Sequence, residues 1–496
     1  MIAFESNIGW DAKLVPVRVR ITEALSRCYE ITLDVLAEAG TLDLSQAVNR
    51  RGSVRLQVGG AERVLHGVIR STSAMGSLPR NLFWYRLVLV PRLALLELSM
   101  RSRVFCTERP ARVAEVIAEV LNTAEGVQIT AADHRANLHA TTYPLRDMVV
   151  QYQESDLAFL SRLAEDAGIF YLFEQGENAE RIVFGDSNLV FPPLAGGTAG
   201  EVLAFRPGVG IADAGPALRS LRREAHLVAA GAALNERFYA SPATVLAVQS
   251  AAVTGGVGQR IWHEQDGYAE SGWGQSLAEI RAQEAAIGQR VLYGESDCLG
   301  LAAGSLFAVR GDGAGRGDGR HVVTEIVHEI WESALGIDDL PGPGPRGQGY
   351  RNEFSAIPQD VPFRPARRTP RPVIAGMIRA TIDGADDARS NVDDMGCYRI
   401  VFSFDTASRP PGRSSCPVRL ITPYGGPAEG FHFPLRARTQ VMVAFHNGDP
   451  DRPVILGPLY DADQKSVVSH ANRSANTIST VSGITVKLND GLPSGG

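Results

Sequence analysis

Residues 430–460, GFHFPLRARTQVMVAFHNGDPDRPVILGPLY, decide how this chain is read. Two apolar runs, VMVAF at 441–445 and VIL at 454–456, flank the insert Asn447-Gly448-Asp449-Pro450-Asp451-Arg452-Pro453. The runs are short and rich in β-branched and aromatic side chains, which favours strands over helix. The insert has the composition of a turn. Pro450 and Pro453 lack an N–H and so fix where pairing stops. The expected element is a tight hairpin in a small β-barrel. Gly448, Asp449, Pro450, Asp451, Arg452 and Pro453 are read as its turn and rim, not as a charged active site.

Outward from the hairpin, strand-like runs occur at 379–382, 398–404, 418–420, 441–445 and 454–456. Five is the number an oligonucleotide/oligosaccharide-binding (OB) barrel needs, which places that barrel at 373–460. Beyond it the composition turns to Ser, Asn, Thr and Ala. The run NTISTVSGITVKL then ends in strict alternation at Ile484, Val486 and Leu488. A lone strand with one apolar face has to bury it, and the expected cover is another chain or a continuation of this one.

Upstream, residues 341–372 hold eight of the 28 prolines and read as an extended linker. Before them lies a mixed region. Strands are expected at 15–21, 29–35, 54–58, 63–69 and 84–90, with Gly59-Gly60 as a hairpin turn. Val113, Val116, Ile117, Val120 and Leu121 then recur at helical spacing. A second helix runs from Ser155 or Asp156 to Ala167, stopped by Gly168 and followed by the strand 169–173. A third is expected over about 276–291, ahead of strands at 306–310 and 322–331.

Length and composition set the limits. A chain of 496 residues with 44% apolar content has room for several domains. No run of about 18 apolar residues marks a transmembrane helix. The N-terminus lacks a basic, then apolar, leader pattern, so synthesis and folding in the cytoplasm are expected. Residues 361–496 carry 16 Lys and Arg against 12 Asp and Glu, within a net charge of -6; neither value is the basic footprint of a nucleic-acid binder. Cys28, Cys106, Cys298, Cys397 and Cys416 are odd in number and lack CxxC spacing. They are expected as free thiols, with a Cys397–Cys416 bridge left open, and no metal site is expected.

Catalytic patterns find little support. Residues 342–347 match GxGxxG formally, but prolines stand where a helix should start. His321, Glu325 and His328 share a strand without the HExxH order, so they read as ordinary strand polar residues. Arg310-Gly311-Asp312 and Arg316-Gly317-Asp318 read as a flexible connection. Asp156, beside Glu154, suits a helix N-terminus better than glycoside hydrolysis. The aromatics of the barrel region fall mostly on strand positions, where core packing suffices, and stacking on nucleic acid is not expected.

The run 151–163, QYQESDLAFLSRL, closing with Gly168-Ile169-Phe170-Tyr171, resembles the VgrG family. These are the trimeric spike proteins of type VI secretion systems, related to the hub and spike of contractile phage tails. Leu95-Leu96, residues 102–105, residues 321–329 and the GDPDRP turn at 448–453 are similar to the family pattern in the same order. Arg438 departs from it, standing where a glycine is usual. The resemblance implies a mainly β chain with some α: a phage-tail-hub-like region at 1–340 with two barrel-like subdomains and helices, the linker, the OB barrel, and the start of a trimeric β-helical needle at 461–496. Ile484, Val486 and Leu488 would form its trimer core.

In function it implies a non-enzymatic homotrimer that caps a hexameric inner tube, meets baseplate proteins, carries a tip protein and effectors, and pierces a target envelope. Assembly would follow synthesis in the cytoplasm, with delivery to the extracellular space or a target cell. The same resemblance leaves open the spike of an extracellular injection particle or tailocin. From another class comes a cell-wall-hydrolysing effector spike, which would need an added catalytic domain. A monomeric OB-type binding module is the remaining alternative.

Overall fold

The computed structural model describes all residues except 11, 39–41, 140–142, 195–201, 208–214, 265, 311–318, 336, 338–339, 341–347, 386–390 and 492–496, and the side chains of 107–111. Two compact units result. The first comprises Met1–Met100, Arg112–Pro144 and Ser155–Pro370; the second comprises Arg101–Ala111, Leu145–Glu154 and Arg371–Gly496.

A twelve-stranded sheet organises the first unit. Its first half runs Ile2–Ser6, Arg51–Val58, Ala61–Leu78, Leu82–Val90, Arg27–Ala37 and Val15–Ala24 in spatial order. These strands wrap Val19, Ile21, Ile31, Leu33, Leu56, Leu87 and Leu89, all sealed from solvent. Period-two alternation supplies that inner face. Register shifts between Ile69/Ser71 and Ala74/Gly76 mark bulges in the long strand Ala61–Leu78, of the kind that bend a sheet into a barrel.

Val15–Ala24 then pairs antiparallel with Arg320–Trp331, which opens the second half. From there the order is Leu306–Arg310, Val202–Phe205, Ala217–Ala225, Arg290–Ser296 and Gly349–Pro358. The last strand returns to pair with Arg320–Trp331, so six strands close on themselves and leave no edge. Leu218, Phe307, Val323, Ile326, Phe354 and Ala356 fill the interior. The chain is mainly β, with two barrel-like bodies in this unit.

Helices and small sheets decorate the barrels. Ser155 caps the helix Asp156–Asp166, its hydroxyl accepting from the Ala158 N–H at 3.1 Å, and Asp156 occupies the acidic first turn. Gly168 ends that helix at φ +69, and a Cβ there would lie 2.7 Å from Ile280 Cγ2. The third helix is Ser271–Ala286, about five residues earlier than the sequence reading placed it. Residues 290 and 291, read as the end of that helix, instead open the strand Arg290–Ser296 of the closed barrel.

In the second unit a five-stranded sheet has the order Ile400–Phe402, Ile378–Ile382, Gln440–Phe445, Pro453–Pro458, Arg419–Leu420. All five strands expected from the sequence are present. Their core joins Tyr398, Ile400, Phe402, Val441, Val443 and Ile455 with Val104, Cys106, Met148 and Val150. Those last four come from the strands Met100–Ala111 and Arg146–Ser155, which pair with each other. The expected boundaries therefore shift: stretches read as part of 1–340 complete the core of the barrel read at 373–460. The linker reading also changes. Gly349–Pro358 is a strand paired on both sides, because residues 349–357 contain no proline while the prolines lie at either end. All five cysteines are free thiols, so Cys397 and Cys416 form no bridge.

Candidate interaction sites

The hairpin at 448–453 is built as its residue types require. Asn447 and Gly448 take positive φ, +53 and +74, and a Cβ on Gly448 would meet Val373 Cγ1 at 2.6 Å. The Gly448 carbonyl accepts from the Ile374 N–H at 2.9 Å. Asp449 Oδ1 accepts from the Asp451 N–H at 3.0 Å, an Asx turn that sets the corner. The His446 N–H donates to the Arg452 carbonyl at 2.9 Å, and Pro453 opens the return strand opposite Phe445.

Asp451 does more than line a rim. Its Oδ1 accepts from the Val150 N–H at 2.6 Å, tying the hairpin to the strand Arg146–Ser155. A carboxylate that accepts from a backbone N–H makes one of the stronger hydrogen bonds in proteins. Arg438 adopts φ +66, the left-handed region where glycine costs least, and its N–H donates to the Ile382 carbonyl at 2.8 Å.

At the far end, the expected lone strand is paired. Thr485–Asn489 runs antiparallel to Ala475–Ser479, with Ile478 opposite Val486 and Asn476 opposite Leu488. That pairing satisfies one backbone edge but covers neither face. Ile484, Val486 and Leu488 remain 66%, 53% and 64% exposed.

The sequence patterns weighed as chemistry separate in space. A bulge between Val323 and Glu325 shifts the register of Arg320–Trp331. Glu325 faces out and pairs with Arg27 at 2.6 Å. His321 and His328 both turn inward. Among the described residues no group of three His, Cys, Asp or Glu is placed to hold a metal ion. Residues 342–347 and the two Arg-Gly-Asp stretches lie wholly or largely outside the described residues. Three of the eight barrel-region aromatics, Tyr398, Phe402 and Phe445, are core, and Phe404 is half-buried against them. Tyr424, Phe431, Phe433 and Tyr460 are exposed instead, because they fall on connections rather than strands.

His328 belongs to a network that the sequence did not announce. Glu23, Arg63, His328 and Tyr350 come from four strands and converge where the two halves of the large sheet meet. Arg63 Nη2 donates to Glu23 at 2.8 Å, and Arg63 Nη1 approaches His328 Nε2 at 3.0 Å. Guanidinium donates only, so Nε2 accepts and Nδ1–H donates to the Tyr350 hydroxyl at 2.9 Å. Tyr350 in turn donates to the Cys298 carbonyl at 3.2 Å. Burial acts to raise the Glu23 carboxyl, but the charge of Arg63, with its hydrogen bond, leads the opposing effects, and the group is held at about 2. Burial holds His328 below its ordinary value, with Arg63 acting in the same sense against a pull from Glu23. The result is a paired, hydrogen-bonded ion cluster around a neutral imidazole, which fixes strand register rather than performing proton transfer.

Comparison with known proteins bears on the whole chain. The model of the phage tail baseplate hub (GPD) family matches residues 22–334, more than half of its length. The chain belongs to that family. The Type VI secretion system/phage-baseplate injector OB domain matches residues 389–460, the barrel carrying the hairpin. Two curated relatives are from Pseudomonas aeruginosa. The type VI secretion system spike protein VgrG5 is 30% identical over 92% of this chain and 57% of its own length. The spike protein VgrG4b is 28% identical over 89% of this chain and 54% of its own. The chain thus spans a little over half the length of these relatives. Among solved structures, the E. coli c3393 protein, described as a type VI secretion component with similarity to the T4 tail proteins gp27 and gp5, aligns at TM-score 0.65 and 23% identity. That alignment covers 92% of this chain and all of the other. A chain of a Francisella PdpA-VgrG complex aligns at TM-score 0.60 and 7% identity, over 99% of this chain and 83% of the other. At these identities the structures speak for the fold. The VgrG resemblance read from residues 151–171 and 448–453 is met by the family models and the curated relatives together.

Proposed function

We propose that this baseplate-hub chain is a structural, non-enzymatic subunit of a type VI injection machine, working as a homotrimer that joins a hexameric inner tube to a narrower spike. The observation that carries the reading is the pair of barrel-like bodies within one chain. Three such chains present six bodies around one axis, which allows a threefold object to meet a sixfold ring. The exposed face of Ile484, Val486 and Leu488 supports a second part of the reading: three copies of the strand pair share an apolar axis and begin a needle. The hairpin 448–453, held to Val150 through Asp451, keeps the barrel between these parts closed under load. Baseplate proteins, a tip protein and effectors are the partners this role calls for. Assembly follows synthesis in the cytoplasm, and delivery is outward.

A secretion assay tests it. A strain lacking this chain should fail to release its tube protein into the medium. The wild-type chain should restore release, and the double substitution Ile484→Asp, Val486→Asp should not. Normal tube-protein release without the chain would overturn the proposal.

A further inference from the structure

The connection between the strands Arg419–Leu420 and Gln440–Phe445 breaks the usual relation between side-chain type and burial. Every residue of 423–434, PYGGPAEGFHFP, is exposed, yet the run carries three large aromatic side chains, Tyr424, Phe431 and Phe433. With Tyr460 they are the exposed Phe, Tyr and Trp side chains among the described residues. Glu429 is the only formal charge in the run, and its carboxylate turns back to accept from the Ala428 N–H at 3.3 Å. Aromatic enrichment with few charges is the composition of a protein interface rather than of a solvated loop.

The arm is held in shape from within. The Phe431 N–H donates to the Tyr424 carbonyl at 2.9 Å, and the Gly426 N–H to the Glu429 carbonyl at 2.7 Å, which closes a short hairpin. Its root is fixed by Tyr398, sealed in the barrel core. The Tyr398 hydroxyl accepts from the Leu435 N–H at 3.1 Å and bonds His432 Nε2 at 2.8 Å, with the two rings stacked 6.0 Å apart. Because His432 turns toward Tyr398, Phe431 and Phe433 project the other way, and their rings meet edge to face at 4.8 Å. An arm already shaped loses little freedom on docking.

Area decides what covers it. In the homotrimer proposed above, the hairpin face of Ile478, Ile484, Val486 and Leu488 supplies on the order of 250 Å² per copy, at ~100 Å² for each fully exposed aliphatic side chain. A stable interface takes about 800 Å² per partner. Three aromatic side chains, each about half exposed, add on the order of 300 Å². That brings the apolar area to what the core of such an interface needs. A threefold ring is heterologous, so the giving and the receiving surface differ. The receiving surface is supplied by Leu456, Leu459 and Tyr460, exposed on the stretch that leads from the barrel into that hairpin.

We infer that the arm 423–434 docks on a second copy of this chain, with Tyr424, Phe431 and Phe433 covering the stretch 456–460 of the next copy. The inference rests on the homotrimer reading and adds the contact that locks neighbouring barrels together.

A photo-reactive benzoylphenylalanine replacing Phe433 in the purified full chain, followed by illumination and peptide mapping, tests it. Covalent dimers and trimers are expected, with adducts on residues 453–465 of a second copy. Phe431→Ser with Phe433→Ser should raise the concentration of half-dissociation by about tenfold or more, since buried aromatic anchors dominate interfaces, and leave the urea midpoint of the dilute monomer unchanged. The two readings fail separately. A wild-type chain that is monomeric at every concentration removes the homotrimer and the docking with it. A wild-type trimer whose adducts all lie within one chain, or on the tube protein when that is present, overturns the docking and leaves the homotrimer standing. So does a trimer whose assembly the double substitution leaves unchanged.

Discussion

The strands Gln440–Phe445 and Thr485–Asn489 each direct apolar side chains at every second position to one face and end in opposite states. In the first, Val441 and Val443 are sealed, because four other strands and two distant segments curl around them. In the second, Val486 and Leu488 stand more than half exposed, because pairing with Ala475–Ser479 supplies hydrogen bonds but no facing layer. Alternation specifies which face must be buried; it does not say which chain buries it. One strand finds its cover within the chain; the other keeps its apolar face exposed, the face that the proposed trimer would bury.

Substitutions can break this contrast, the largest effect coming from the closed side. Val443→Asp puts a charge into a dry core and should cost about 3 to 5 kcal/mol, read as faster hydrogen exchange of the barrel amides in urea. Unchanged exchange would mean that the barrel core is not closed as described.

Acid tests the seam between the two halves of the large sheet. Glu23 is held at about 2 against an ordinary 4.5, so its contribution is complete above pH 4.5 and fades as pH falls toward 2. His328 is held below its ordinary 6.5, so the unfolded chain takes up that proton first and erosion begins below pH 6.5. Both act in one direction, and the combined loss should be on the order of 3 kcal/mol. A flat stability profile from pH 7 to pH 3 would contradict it.

A smaller effect sharpens the role of the hairpin. Asp451→Ala removes the acceptor for the Val150 N–H and should cost about 1 to 2 kcal/mol, with exchange at Val150 accelerated most. Smallest of all, Val486→Asp should change the stability of a single chain by less than about 0.5 kcal/mol, since the side chain is already in water. Its effect belongs to association, and a large loss in a dilute monomer would show that the face is covered within one chain.

Local chemistry was legible in the sequence. The cap at Ser155, the stop at Gly168, the five barrel strands and the turn at 448–453 each follow from residue types within a short window. What escaped depends on distant partners. Val104, Cys106, Met148 and Val150 look like hub strands until the barrel core is seen to need them. Gly349–Pro358 was hidden by the prolines around it. The third helix begins at Ser271 through glycines at 272 and 274, where propensity argues against helix and packing of Gly274 on the Tyr268 ring decides. The Glu23–Arg63–His328–Tyr350 cluster draws on residues more than 300 positions apart, so no motif could announce it. The face at 484–488 is exposed, but its strand pairs with Ala475–Ser479 rather than standing alone.

Native mass of the purified full chain, measured across a range of concentrations, tests the central claim most directly. The account predicts a trimer of a 53.3 kDa chain, with Ile484→Asp, Val486→Asp shifting it toward smaller species or loosening its C-terminal end to protease. A monomer at every concentration would contradict it.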